Sequence, residues 1–174
     1  MKSGRLYNTV YFDNAATTWP KPAQVREAVS RALTIYGANP GRSGYQMSLS
    51  TSAKVYRCRE LAAEFFNLKD PSKVVFVQNC TLALNIVIKG LLKYGGRVVV
   101  SDLEHNAVMR PLYSISPKNP VYDVAAVYPG DVDKTLDSFE RSIRHDTRAI
   151  ICLHGSNVFG VRLPIREIGK LARK

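Results

Sequence analysis

"RVVVSDLEHNAVMRPL", residues 97–112, decides the fold. Val98, Val99 and Val100 make a strand with no polar alternation, and such a strand must be covered on both faces. That is the situation of a parallel sheet with helices above and below it. Directly after the valines the chain turns polar, through Ser101, Asp102 and Glu104, and then presents His105. In parallel α/β sheets ligands gather beyond the carboxyl ends of the strands, so His105 stands where a ligand site is expected. A single histidine there has three readings: a base, a ligand or flat stacking surface, and a hydrogen-bonded structural side chain.

Working outward, helix and strand signals alternate. "TVYFD" (9–13) predicts a short strand. Pro20 and Pro22 sit where early helix donors are dispensable, and Val25, Ala28, Val29, Ala32 and Leu33 recur at helical spacing as far as Gly37, predicting a helix with one buried stripe. "NPGRSGYQ" (39–46) reads as a loop. Ser48 or Ser50 can cap a helix running to about Phe66, with Leu49, Ala53, Tyr56, Leu61 and Phe65 apolar. "KVVFVQ" (73–78) predicts a strand, and "NCTLALNIVIKGLLKYGG" (79–96) a helix with a capping Asn or Thr and a glycine stop. "PVYDVAAV" and "TRAIICLH" predict two further strands. "DKTLDSFERSI" predicts a helix with Leu136, Phe139 and Ile143 inward, and a last helix begins at Pro164. The fold class expected is α/β, a mainly parallel sheet flanked by helices.

Composition narrows the function. The 174 residues, 45% hydrophobic, suffice for one core, and the charge is +11. A basic surface attracts phosphate, whether in nucleic acid, a nucleotide or a phosphorylated cofactor. The positive residues are nevertheless dispersed, and the densest group, Arg166, Lys170, Arg173 and Lys174, reads as the solvated face of a helix. No apolar run is long enough to span a bilayer, and the N-terminus lacks a signal-peptide pattern, so a cytoplasmic protein with no membrane partner is expected. Three cysteines with no C-x-x-C pair give no disulfide framework. His145 and His154 show no ligand spacing, and no metal is expected.

Three polar strand ends remain as candidate chemistry: "QNCT", "SDLEH" and "LHGSN". At "QNCT" the first-turn amides of the following helix, with the Thr81 hydroxyl, can hold a phosphate; Thr81 acting only as a cap is the alternative. Cys80 in that turn is either an activated thiol or inert packing. At "LHGSN", His154 and Asn157 form a second polar pair.

Taken together, "YFDNAATTWPKP", "NPGRSGY", "FFNLKDPSKVVFVQNCTLALN", "SDLEHNAVMRPL" and "HGSNVFGVRLPI" resemble, in order and spacing, the N-terminal part of the cysteine desulfurases, pyridoxal-phosphate (PLP) enzymes of the class V aminotransferase family. The resemblance runs from Tyr11 onward. It implies that His105 stacks on the pyridine ring, that Thr81 and the amides of Cys80 and Thr81 form the phosphate cup, and that Asn157 meets the ring hydroxyl. It implies that Asn14, Ala15 and Ala16 line the substrate side. Residues 1–20 become an N-terminal segment and 21–174 the N-terminal part of the PLP-binding large domain.

The same resemblance implies that the Schiff-base lysine, the aspartate at the pyridinium nitrogen and the sulfur-accepting cysteine lie beyond Lys174. No catalytic residue is then expected in this chain, and it is expected to be inactive alone. A cysteine substrate, a homo-oligomer and a sulfur-acceptor protein are implied. Leu82, Tyr45, Cys80 and Phe159 depart from the family's usual residues without removing a cofactor contact, and Tyr45 and Phe159 leave selenocysteine lyases and other class V members open. Two other readings stand beside this one: a basic phosphate- or nucleic-acid-binding module, and an assembly partner that keeps the fold without the chemistry.

Overall fold

The computed structural model describes residues 10–14, 16–41 and 44–173. They fall into two compact units, one ending at Phe76 and one beginning at Val77.

The first unit is helical. Helix α1 spans Ala23–Thr34 and α2 spans Gln46–Phe65, followed by a single 3-10 turn at Pro71–Lys73. Both helices stand where periodicity places them, but burial differs. Val25, Val29 and Leu33, the expected buried stripe of α1, are exposed, as are Leu49, Tyr56, Leu61 and Phe65 on α2. Spacing defines a face; only a packed neighbour buries it. Neither Ser48 nor Ser50 caps α2, which starts earlier, after Tyr45. Ser48 lies inside the helix and is buried, its hydroxyl donating to the Asn39 carbonyl at 3.0 Å.

The expected strand at 73–78 is absent: Val74 is extended, yet residues 74–78 form no ladder. Val75 and Phe76 are exposed, and β-propensity without a paired neighbour makes extended chain, not sheet. Likewise Val10–Asp13 carry no regular structure, and Thr9 lies outside the described residues.

The second unit holds the sheet. In order come α3 (Cys80–Leu91), β1 (Arg97–Ser101), α4 (Asn106–Ile115), β2 (Tyr122–Ala125), α5 (Val132–Ser142), β3 (Thr147–Ile151) and α6 (Ile165–Leu171). The three strands are parallel in the order β2-β1-β3, with Val99 opposite Asp123 on one side and Ile150 on the other. The alternation of β1 sorts the core into two. Val98 and Val100 pack with Ile88 and Leu92 of the α3 side and with Val108 and Leu112 of α4. Val99 points the other way, into Phe139 of α5 and Ile168 and Leu171 of α6. All three valines are fully buried, as a covered parallel strand requires. Ile143, expected inward in α5, lies just past the helix end and is exposed. Helix α4 contains Pro111, a residue that argues against an interior helical position; no helix was expected there.

Candidate functional site

The site is assembled at the carboxyl end of the sheet within the second unit. At the start of α3, Asn79 rather than Thr81 is the cap: its side-chain oxygen accepts from the Leu82 amide at 2.9 Å. The Ala83 amide is taken by the Asn79 carbonyl at 3.2 Å. The amides of Cys80 and Thr81 find no acceptor among the described residues, so two first-turn donors stay open. The Thr81 carbonyl accepts from the Asn85 side chain at 2.9 Å. Because Asn79 does the capping, the Thr81 hydroxyl is left for other work. Cys80 is an exposed, free thiol in the same turn.

Beyond β1, His105 is the cap of α4. Its Nδ1 accepts from the Ala107 amide at 3.0 Å, which fixes the ring and requires the neutral tautomer with its proton on Nε2. The residue is exposed, its ring held by one edge. Thr81 and His105 line one cleft of about 310 Å³, together with Asn85, Asn106, Ala107, Arg110, Pro111 and Ser114. That volume is at the low end of small-ligand sites. Its lining holds one full charge, the Arg110 guanidinium, and no carboxylate.

The turn into His105 is pinned on both sides. The Asp102 carboxylate accepts from the Val127 amide, past the end of β2, at 3.1 Å. Glu104, which sequence reading passed over in favour of its neighbour, is half-buried. It accepts from the Ser101 hydroxyl at 2.5 Å and from the Leu153 amide, past the end of β3, at 2.9 Å. Burial pushes the Glu104 pKa above the ordinary glutamate value, against the pull of those two hydrogen bonds and of backbone groups of Ser101 and His105. Next to it, Cys152 is half-buried; burial first and the Glu104 charge second push its pKa up to about 11. The signal that could have found Glu104 is a carboxylate three residues past the end of the buried strand β1, where a charge needs partners.

Asn157 lies on a tight turn after β3. The turn is closed by the Ser156 amide donating to the Val161 carbonyl at 2.8 Å and the Gly160 amide to the Ser156 carbonyl at 3.0 Å. Gly160 has φ +65°, and the buried Ser156 hydroxyl accepts from the Phe159 amide at 3.2 Å. Asn157 itself is exposed and does not line the cleft of Thr81 and His105. Gly155, Arg162 and His154 border a separate hollow at the base of that turn.

In the first unit, Asn14 holds its own loop together: its amide donates to the Tyr11 carbonyl and its oxygen accepts from the Trp19 amide, both at 3.1 Å. Ala16 is exposed, its amide donating to the Asp13 carbonyl at 3.2 Å. Ala15 lies outside the described residues.

The family model for Aminotransferase class-V matches residues 10–174. The chain belongs to the class V aminotransferase family. A probable cysteine desulfurase of Methanothermobacter thermautotrophicus is 34% identical over 169 residues, covering 96% of this chain and 41% of that protein. Among solved structures, the apo cysteine desulfurase of Thermococcus onnurineus NA1 superposes with a TM-score of 0.80 at 28% identity, covering 94% of this chain and 41% of the other. SspA in complex with cysteine gives 0.79 at 28% identity, over 95% of this chain and 48% of that one. The chain thus spans about two fifths of the length of the first curated relatives it matches. The parallel sheet with flanking helices is accordingly part of the class V aminotransferase fold.

Pyridoxal 5'-phosphate is the cofactor expected for the family. The residues present fit it: two free amides, a hydroxyl and a guanidinium suit a phosphate dianion, and a flat imidazole of fixed tautomer suits an aromatic ring. Among the described residues no helix is long and apolar enough to cross a membrane, and no cluster of metal-ligating side chains occurs.

Proposed function

We propose that this chain is the cofactor-holding part of a PLP-dependent, cysteine desulfurase-like enzyme that converts cysteine to alanine and leaves the sulfur as a persulfide on an enzyme thiol. The observation that carries the reading is the cleft in which the open amides at Thr81 and the fixed His105 ring come together. In this reading residues 21–174 are the N-terminal part of the PLP-binding large domain and 1–20 its leading segment.

Bound PLP supplies an electron sink for the carbanion that forms when an amino acid loses its α-proton. The chain's own residues bind and orient. The amides of Cys80 and Thr81 and the Thr81 hydroxyl hold the phosphate, helped by the partial positive charge at the start of α3. His105 offers a ring face whose angle is set by the bond from Ala107. Asn157 donates to or accepts from the ring hydroxyl. No lysine lines the cleft, so covalent anchoring and sulfur transfer are assigned to residues outside it, and this chain alone is inactive toward cysteine.

The wider reading includes a homo-oligomer, supported by the exposed apolar side chains of α1 and α2, and a sulfur-acceptor protein. It also includes a cytoplasmic location, supported by three free cysteines.

PLP titration of the purified chain tests the reading, with inorganic phosphate as competitor and borohydride reduction followed by mass spectrometry. Saturable, phosphate-competable binding without a reducible lysine adduct, weakened in His105→Ala and in Asn157→Ala, is the expected result. No binding, or binding untouched by both substitutions, overturns it.

A further inference from the structure

Two residues assigned to the cofactor ring, His105 and Asn157, leave different strands, and no direct bond between them holds their separation. Resting on the cofactor reading above, we infer that Glu104 is the positioning residue that fixes the His105 ring relative to the Asn157 turn.

Glu104 sits in the chain immediately before His105, and its carboxylate is bonded on both sides of the gap. On one side it accepts from Ser101, the buried last residue of β1, at 2.5 Å. On the other it accepts from the amide of Leu153 at 2.9 Å. From Leu153 the connection to Asn157 is short and stiff. The His154 carbonyl accepts from the Leu163 amide at 3.0 Å, and Gly155 pairs with Arg162 across the base of the turn. From Glu104 to the ring the path is one residue, with the imidazole then locked by Ala107. Both donors converge on one carboxylate oxygen, Oε1, which accepts twice and so bridges groups on separate strands. Withdrawing it leaves the Leu153 amide and the Ser101 hydroxyl without their acceptor and frees the two strand exits to move apart.

The test uses the cofactor-free chain first, by NMR. It follows the ¹⁵N signals of the His105 imidazole and the backbone amides of His105, Ala107 and Asn157 in wild type, Glu104→Gln, Glu104→Ala and, as a control, Leu92→Ala, which loosens the core at the end of α3 far from Thr81. Glu104→Ala is expected to replace the single His105 tautomer with an averaged one and to displace the Asn157 amide. Glu104→Gln, which keeps an acceptor oxygen, is expected to restore both, and Leu92→Ala to lower Tm without moving either. Should Glu104→Ala not fold, Ser101→Ala gives a smaller displacement of the same signals. His105 and Asn157 signals that stay in place in both Glu104→Ala and Ser101→Ala, or that move as far in the control, overturn the inference.

PLP titration then separates it from the reading it rests on. Glu104→Ala is expected to bind about tenfold more weakly than wild type, on the scale that loss of an outer-layer partner has at metal sites. If wild type binds and Glu104→Ala binds equally well, the positioning role fails and the cofactor reading stands. If wild type does not bind, the cofactor reading fails, and the NMR signals alone decide whether Glu104 fixes the two strand exits.

Discussion

Arg97 on β1 and Asp123 on β2 form a two-pronged ion pair, Nε to Oδ2 at 2.7 Å and Nη2 to Oδ1 at 3.2 Å. Arg144 reaches the same carboxylate at 2.5 Å, and Arg97 also donates to the carbonyls of Pro120 and Tyr122. The pair is largely shielded, and it fastens β1 to β2 away from the strand ends that carry His105. Its work is therefore stability, not ligand binding.

The Arg97 guanidinium holds the Asp123 carboxyl below the usual aspartate range. A lowered folded pKa means stability that is fully present above the unfolded value near 4 and lost as pH falls through the folded one. Asp123→Asn should cost about 1–3 kcal/mol at pH 7, between exposed and buried pairs. Urea denaturation as a function of pH checks this: the gap to wild type must close toward pH 3.

Capping and phosphate binding should separate cleanly at the start of α3. Asn79→Ala removes the acceptor of the Leu82 amide and should lower stability by about 0.5–2 kcal/mol. Thr81→Ala should leave Tm nearly unchanged while weakening PLP and inorganic phosphate alike. A Thr81→Ala loss of stability equal to that of Asn79→Ala would return Thr81 to a purely structural role.

The three thiols should react in a fixed order. Cys58 and Cys80 are exposed, whereas Cys152 is half-buried with its pKa pushed up to about 11. At pH 8 only about one in a thousand Cys152 side chains is thiolate. Timed alkylation read by peptide mass spectrometry should modify Cys152 last by a wide margin. Equal rates would show that the β3 exit opens freely.

Glu104 gives the opposite pH sign to Asp123. Its pKa is raised, so its contribution is fully present below the unfolded value near 4 and is lost as pH rises through the folded one. Glu104→Gln removes the cost of burying the charge. Its Tm relative to wild type should therefore be more favourable at pH 7 than at pH 4. A difference independent of pH refutes the buried-charge account.

What the chain discloses in advance depends on how local the cause is. Val98–Val100 announce a doubly covered strand because three apolar residues in a row have one physical solution, and the parallel sheet follows. Helices α1 and α2 are equally legible as helices, but Val29, Leu33 and Phe65 show that spacing does not state what lies against a face. "KVVFVQ" fails as a strand for the same reason, since pairing is a property of two segments. In the site, His105 and Thr81 stand out through their places at element starts, and the family resemblance assigns them roles. That they share a cleft, that Asn79 frees Thr81 from capping, and that Glu104 joins two strand exits are long-range facts that single positions do not carry. Pro111 in α4 is the converse case, a residue that local rules place outside helices standing inside one.

The central place of β1 has a kinetic meaning. Its backbone is hydrogen-bonded along both edges and its valines are sealed on both faces, so it belongs to the segment of this unit whose amides exchange with solvent only on the rarest, largest openings. The loop that ends in His105 hangs from that segment. Fluctuations that fray α6 can therefore come and go many times while the imidazole keeps its place.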